Sequence, residues 1–167
     1  MREAAHVFVS YARSSEGQAN RVAEALRGVG YSVWRDDELP AHRSYAEVIE
    51  ERLKSAKAVV VLWSAEAAKS QWVRAEADTA RGTGTLVQAS VDGTLPPIPF
   101  NQIQCADLKG WDGDTDSHGW QKLESSVASL VGGDDEEAPS APPAAARARS
   151  RVIWPLAASF SSVAPTG

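Results

Sequence analysis

The chain is poor in the residues that staple or metallate a small protein. Its 167 residues contain one cysteine, Cys105. An internal disulfide is therefore excluded, and the count fits a reducing compartment. The three histidines, His6, His42 and His118, lack metal-ligand spacing, so no metal site is expected. No apolar run reaches transmembrane length, so no membrane insertion is expected within this chain. Residues 1–6 carry no signal-peptide h-region, and the expected location is cytoplasmic. There is no basic cluster ahead of residue 134, and the net charge is −5, so no nucleic-acid partner is expected. No internal repeat occurs. Three chemical motifs are also missing: the dinucleotide cradle G-x-G-x-x-G, the phosphate loop G-x-x-x-x-G-K-[ST] and the nucleophile elbow G-x-S-x-G.

What is present describes one ordinary globular domain. Hydrophobic residues make up 43% of the chain and charged residues 23%, at a length that can bury a core. The centre is the run Ala58-Val59-Val60-Val61-Leu62-Trp63, closed by Ser64. It is apolar without alternation and rich in β-branched residues, which predicts a strand covered on both faces. Ser70 is the expected N-cap of a helix running to about Arg81, with Gly82 as its stop. Trp72 and Glu76 stand at i and i+4 of that helix, on one face and roughly 6 Å apart along the axis.

The other elements follow in order. Residues 7–9 form a first strand, and Ser14 or Ser15 caps a helix with Ala19, Val22, Ala23 and Leu26 at helical spacing. Residues 31–34 form a second strand, followed by a charged loop over 35–43. Ser44 and Glu47 have capping-box spacing and open a helix carrying Val48, Ile49 and Leu53. After the Trp72 helix come a strand over 85–91, a proline-broken stretch at 96–99, a weak strand over 103–106 and a last helix spaced by Trp120, Leu123, Val127 and Leu130 up to Gly132-Gly133. Residues 134–167 are acidic, then rich in Ala, Pro and Arg. That composition cannot offset its ordering entropy, and a disordered C-terminal tail is expected there.

Strands that alternate with helices predict an α/β, doubly wound sheet of about five parallel strands, in the order 2-1-3-4-5. Ligands of such sheets bind beyond the carboxyl ends of the strands, at the switch point between the first and third. Residues 10–13, 34–40 and 64–76 meet at that edge. A phospho-acceptor receiver domain would need an aspartate at the end of the third strand, where this chain has Trp63-Ser64.

The boxes resemble those of TIR (Toll/interleukin-receptor) domains, bacterial members in particular. Val7-Phe8-Val9-Ser10-Tyr11 is similar to their first signature box, and Gly30-Tyr31-Ser32-Val33-Trp34-Arg35-Asp36 to their second strand and the start of the BB loop. Residues 59–64 resemble their third strand. Trp72-Val73-Arg74-Ala75-Glu76 resembles the W-x-x-x-E helix of enzymatic members, and Pro99-Phe100 with residues 103–108 and Trp111 the late box. The BB loop here reads Leu39-Pro40-Ala41-His42 in place of the common Pro-Gly pattern. The resemblance implies a flavodoxin-like TIR fold over residues 1–133 and self-association with other TIR domains as a homo-oligomer or filament. It assigns the loop residues Asp36, Asp37, Leu39, Pro40 and His42 to assembly. In many members it also implies hydrolase activity, as an NAD+ nucleosidase that acts in signal transduction or defence.

That chemistry suits the residues. The nicotinamide of NAD+ is a cationic pyridinium that leaves as a neutral base, so departure needs no general acid. Positive charge develops on the ribose, as in oxocarbenium-like glycosidase transition states. One buried carboxylate can stabilise that charge, attack the carbon or orient the ribose hydroxyls. Glu76 is the catalytic candidate. Trp72 is the candidate aromatic face for the pyridinium, at about 1–2 kcal/mol when desolvated, with Trp34 second. Ser10 and Tyr11 are placed at the mouth, and Arg13 is a candidate phosphate contact. NAD+ enters as substrate, and no cofactor is needed. The products are nicotinamide with ADP-ribose or its cyclic form. A second functional class stays open, a non-catalytic TIR adaptor acting through its BB loop. Trp72 and Glu76 at helical spacing favour the enzyme, because an adaptor has no use for that pair.

Overall fold

A computed structural model describes residues 6–35 and 44–132. Five strands, β1 (His6–Ser10), β2 (Ser32–Arg35), β3 (Ala58–Trp63), β4 (Leu86–Ser90) and β5 (Cys105–Asp107), make one sheet in the order β2-β1-β3-β4-β5. Every pairing is parallel. The fold is the flavodoxin-like α/β arrangement expected from the sequence, with the expected strand order. Among the described residues five α-helices accompany the sheet: α1 (Glu16–Val29), α2 (Tyr45–Ser55), α3 (Ala65–Lys69), α4 (Gln71–Thr83) and α5 (His118–Gly132). The described residues up to Val131 belong to one compact unit. Among the described residues no helix is long and apolar enough to cross a membrane.

Strand periodicity decides which helix covers which face. Val7 and Val9 of β1, Ala58, Val60 and Leu62 of β3, and Val87 and Ala89 of β4 pack with α1 and α5. Phe8 of β1 and Val59, Val61 and Trp63 of β3 pack with α2, α3 and α4. All six residues of β3 are buried, which is why its sequence is apolar without alternation.

The structure corrects several local expectations. Ser64 caps a five-residue helix, α3, between the third strand and the Ser70 cap, where the sequence reading has no element; its side chain accepts from the Ala67 N–H at 3.1 Å. Helix α4 passes through Gly82 and ends at Gly84 instead. Gly84 has φ of +76°, and its N–H bonds back to Ala80 and Arg81. A left-handed cap of this kind suits glycine, whereas Gly82 sits within the helix. Ser15 and Ser44 occupy N-cap positions, yet neither side chain makes the capping bond. A 3-10 turn over Arg13–Ser15 leads into α1 and leaves Ser15 buried. Strand β5 begins two residues later than its apolar pattern suggests. The carbonyls of Ile103 and Gln104 accept from the Gln88 side chain and are bonded outside the ladder.

Gly119, in the first turn of α5, is needed for close approach. A Cβ there would lie 2.0 Å from the carbonyl oxygen of Asp107. The loop expected to serve assembly, with Asp36, Asp37, Leu39, Pro40 and His42, and the tail over 134–167, lie outside the described residues.

Candidate functional site

Helix α4 sets the site. Ser70 fixes its first turn, its hydroxyl accepting from the Val73 N–H at 3.2 Å. From that start, Val73, Glu76, Ala77 and Ala80 form the stripe turned to the sheet. Glu76 therefore occupies a core position, with 3% of its surface exposed. A carboxylate so placed costs several kcal/mol unless hydrogen bonds compensate it. Ser10, the last residue of β1, supplies one. It shares its strand face with Phe8 and is fully buried. Its hydroxyl donates to Oε1 of Glu76 at 2.5 Å, within the range of strong hydroxyl–carboxylate bonds. The bond joins residues 66 positions apart.

Above this pair, between α2 and α4, runs a groove of about 360 Å³. Trp72, Ala75, Glu76 and Thr79 line it from α4, and Ile49 and Leu53 from α2. Glu50 and Lys54 of α2 also line it and pair with each other at 3.0 Å. Trp72 is 40% exposed, unusual for so large a ring on an otherwise packed domain. A buried carboxylate and a half-open indole thus share one concavity, and its walls are mostly apolar.

The remaining sequence candidates are placed elsewhere. Tyr11 is buried in the opposite core, among α1 and α5. Trp34 is stacked on His6, with ring centroids 4.0 Å apart, and the Arg52 guanidinium lies 4.0 Å from its ring. Its ring is engaged with these neighbours and is not part of the groove lining. Arg13 is exposed in the turn after β1, also apart from that lining. Ser10 touches Glu76 from the sheet side and does not line the groove itself. The structure therefore brings together Ser10, Trp72 and Glu76, and separates them from Tyr11 and Trp34.

A buried polar residue that sequence reasoning passed over is Gln88. Trp63 Nε1 donates to its Oε1 at 2.9 Å, and its Nε2 donates to the carbonyls of Phe100, Ile103 and Gln104 at 3.2–3.3 Å. With those partners it ties β4 to the crossover before β5, a structural role. Its signal was a lone amide in an apolar strand. Two titratable groups are likewise structural. Burial pushes the Cys105 thiol up to about 11, with Asp107 adding to the shift and Lys122 opposing it. That thiol is a poor nucleophile near neutral pH. Burial also acts upward on Asp92, but hydrogen bonds from Thr94 and the Ala65 N–H outweigh it and hold the carboxyl below its ordinary value. Asp92 thereby anchors the start of α3.

Comparison with known proteins agrees with this architecture. A family model for the TIR domain matches residues 7–123. No curated protein matches the chain. Among solved structures the chain is similar to the TIR domain of the Toll-related receptor TRR-2 from Hydra magnipapillata, at 17% identity and a TM-score of 0.61 over 72% of this chain and 96% of that one. It is also similar to a metazoan TIR-STING receptor from C. gigas, solved in complex with 2′,3′-cGAMP, at 18% identity and a TM-score of 0.59. That match spans 76% of this chain and 41% of the receptor. The TIR domains of the activated Roq1 resistosome, which recognises the effector XopQ, align at 15% identity and a TM-score of 0.50 over 76% of this chain and 83% of theirs. At these identities the structural likeness carries the fold alone. The family rests on the domain match, which covers most of the chain and includes both the Ser10 strand end and the Glu76 helix: the chain belongs to the TIR-domain family.

Proposed function

We propose that this TIR domain is an NAD+ glycohydrolase. It cleaves the nicotinamide–ribose bond with Glu76 as the catalytic carboxylate and Trp72 as the aromatic face for the pyridinium ring. The observation that carries the reading is the carboxylate of Glu76 in a core-stripe position, 3% exposed, hydrogen-bonded to Ser10 and lining a groove that Trp72 shares. A domain that served only as a docking surface would gain stability from an apolar residue at that position.

The chemistry follows from the placement. Nicotinamide leaves as a neutral base, so the bond breaks without a proton donor. The ribose carbon gains positive charge, and a carboxylate held in a mostly apolar groove acts on it through a low effective dielectric. The groove's open side would weaken this by admitting water. A second copy covering that side would exclude water and complete the pocket. The loop carrying Asp36, Asp37, Leu39, Pro40 and His42 is the proposed surface for that contact. A contact of one loop with a different surface on the next copy does not close on itself and builds an open array. The proposed protein works as such an array in signalling or defence within the cytoplasm, releasing nicotinamide; one water retained in the pocket adds to the ribose carbon and loses a proton to give ADP-ribose, or an adenine ring nitrogen of the same molecule adds there to give cyclic ADP-ribose.

Nicotinamide release measured across a range of protein concentrations tests the assembly step. Specific activity should rise steeply with concentration. Leu39→Ala or Pro40→Ala should remove both assembly and cleavage. Equal specific activity in dilute monomer and concentrated protein would refute the composite site. Absence of cleavage under every condition would leave the adaptor reading.

A further inference from the structure

Resting on that reading of Glu76, we infer that Ser10 is the positioning residue of the site: its buried hydroxyl holds one carboxylate oxygen of Glu76, and so orients the group and keeps it ionised. Ser10 is not a contact for the substrate. It lies on the sheet side of Glu76, with none of its surface exposed, and is not among the residues lining the groove. Its neighbours on the same face of β1 and β3 are Phe8, Val59, Val61 and Trp63. A hydroxyl among these side chains has little use except to meet the one carboxylate buried beside it. The 2.5 Å separation places the hydroxyl in direct hydrogen-bond contact with the carboxylate.

Two effects follow from one bond. First, fixing Oε1 restricts the rotation of the carboxyl group and sets how it presents itself to a ribose in the groove. Second, a hydrogen bond donated to the charged form favours that form, against a burial that disfavours it. Without Ser10, the charged form of Glu76 loses one hydrogen bond that favours it. Among the described residues, the other ionisable groups lining the groove are Glu50 and Lys54 of α2, which pair with each other. From the β1 side Glu76 meets the Ser10 hydroxyl, which carries no charge.

The test is Ser10→Ala and Ser10→Thr beside wild type and Glu76→Ala, assayed for nicotinamide release from NAD+ at one protein concentration and across pH. Ser10→Ala should lower kcat by about tenfold or more, as expected when an interaction specific to the transition state is lost, with KM within about twofold of wild type. The acid limb of its kcat/KM profile should move to higher pH. Ser10→Thr, which keeps the hydroxyl, should recover most of kcat. Should Ser10→Ala fail to fold, Ser10→Cys keeps the size with a weaker donor and should show the same direction of change. A raised KM with unchanged kcat would return Ser10 to substrate contact and overturn the inference. So would wild-type kcat and pH profile in Ser10→Ala while Glu76→Ala is inactive. Full activity in Glu76→Ala would instead bring down the assignment of Glu76. A readout independent of activity is the melting temperature of Ser10→Ala made in wild type and in Glu76→Ala. The loss should be clearly larger where the carboxylate remains, and equal losses would deny the coupling.

Discussion

The two faces of the sheet are built to different rules. On the face covered by α1 and α5, the buried cluster runs from Val7 and Val9 on β1 and Tyr11 just after it to Leu26 on α1 and Trp120, Leu123 and Val127 on α5, and the buried polar group at the start of α1 is the small hydroxyl of Ser15. On the face covered by α2, α3 and α4, Ser10, Glu76 and Gln88 are buried among apolar neighbours. The first face gains its stability from area removed from water. The second surrenders part of that gain to polar groups, and the two largest of these differ in kind. Gln88 spends its hydrogen bonds on Trp63 and three carbonyls and serves the fold. Glu76 opens onto a groove. The contrast lies in size and charge: the buried carboxylate and the buried amide both stand on the second face, and of the two the carboxylate reaches the groove.

The contrast can be broken first on its apolar side. Leu26 is fully buried against the sheet, and Leu26→Ala should cost about 2–5 kcal/mol of unfolding free energy. Denaturant titration should show that loss, while NAD+ cleavage per folded molecule stays near wild type. A selective loss of catalysis would mean that the two faces are not functionally separate.

The next effect lies on the polar side. With Trp72 40% exposed, Trp72→Ala should lose most of the cleavage activity and little melting temperature, and Trp72→Phe should keep part of the activity. Unfolding of both variants would make Trp72 a core residue. The smallest effect concerns the end of α4. Gly82 has helical neighbours and open space around it, whereas Gly84 sits at φ of +76°. Gly82→Ala should gain up to about 1 kcal/mol by helix propensity. Gly84→Ala should lose about 1 kcal/mol through the left-handed backbone. Thermal melts of the two variants should move in opposite directions.

Much of the fold was legible because single segments carried it. Residues 58–63 announced a doubly covered strand by lacking alternation, and Ser70 announced the helix that holds Trp72 and Glu76. The alternation of strand and helix patterns then implied the strand order. Short elements were not legible. Helix α3 is five residues long, too short for periodicity, and its only sign was Ser64 three residues before the N–H it caps. Gly82 comes first and so reads as the helix stop, but the φ that distinguishes Gly84 is not written in a residue's name. At the site, spacing gave Trp72 and Glu76 as a pair. The partnership of Ser10 with Glu76 depends on how β1, β3 and α4 dock across 66 residues, and local pattern does not encode it. The same docking sent Tyr11 to the opposite core and left Trp34 with His6 and Arg52.

The central claim is that the buried carboxylate on the polar face performs the reaction. Nicotinamide release from NAD+ should be followed for wild type, Glu76→Ala and Glu76→Gln at high protein concentration, with circular dichroism and melting temperature recorded on the same samples. Wild type should release nicotinamide. Both variants should lose at least about a hundredfold of that rate, in line with removing a principal electrostatic group from a transition state. They should also remain folded, each with a native circular dichroism spectrum and a single cooperative melt. Full cleavage by folded Glu76→Ala would contradict the account.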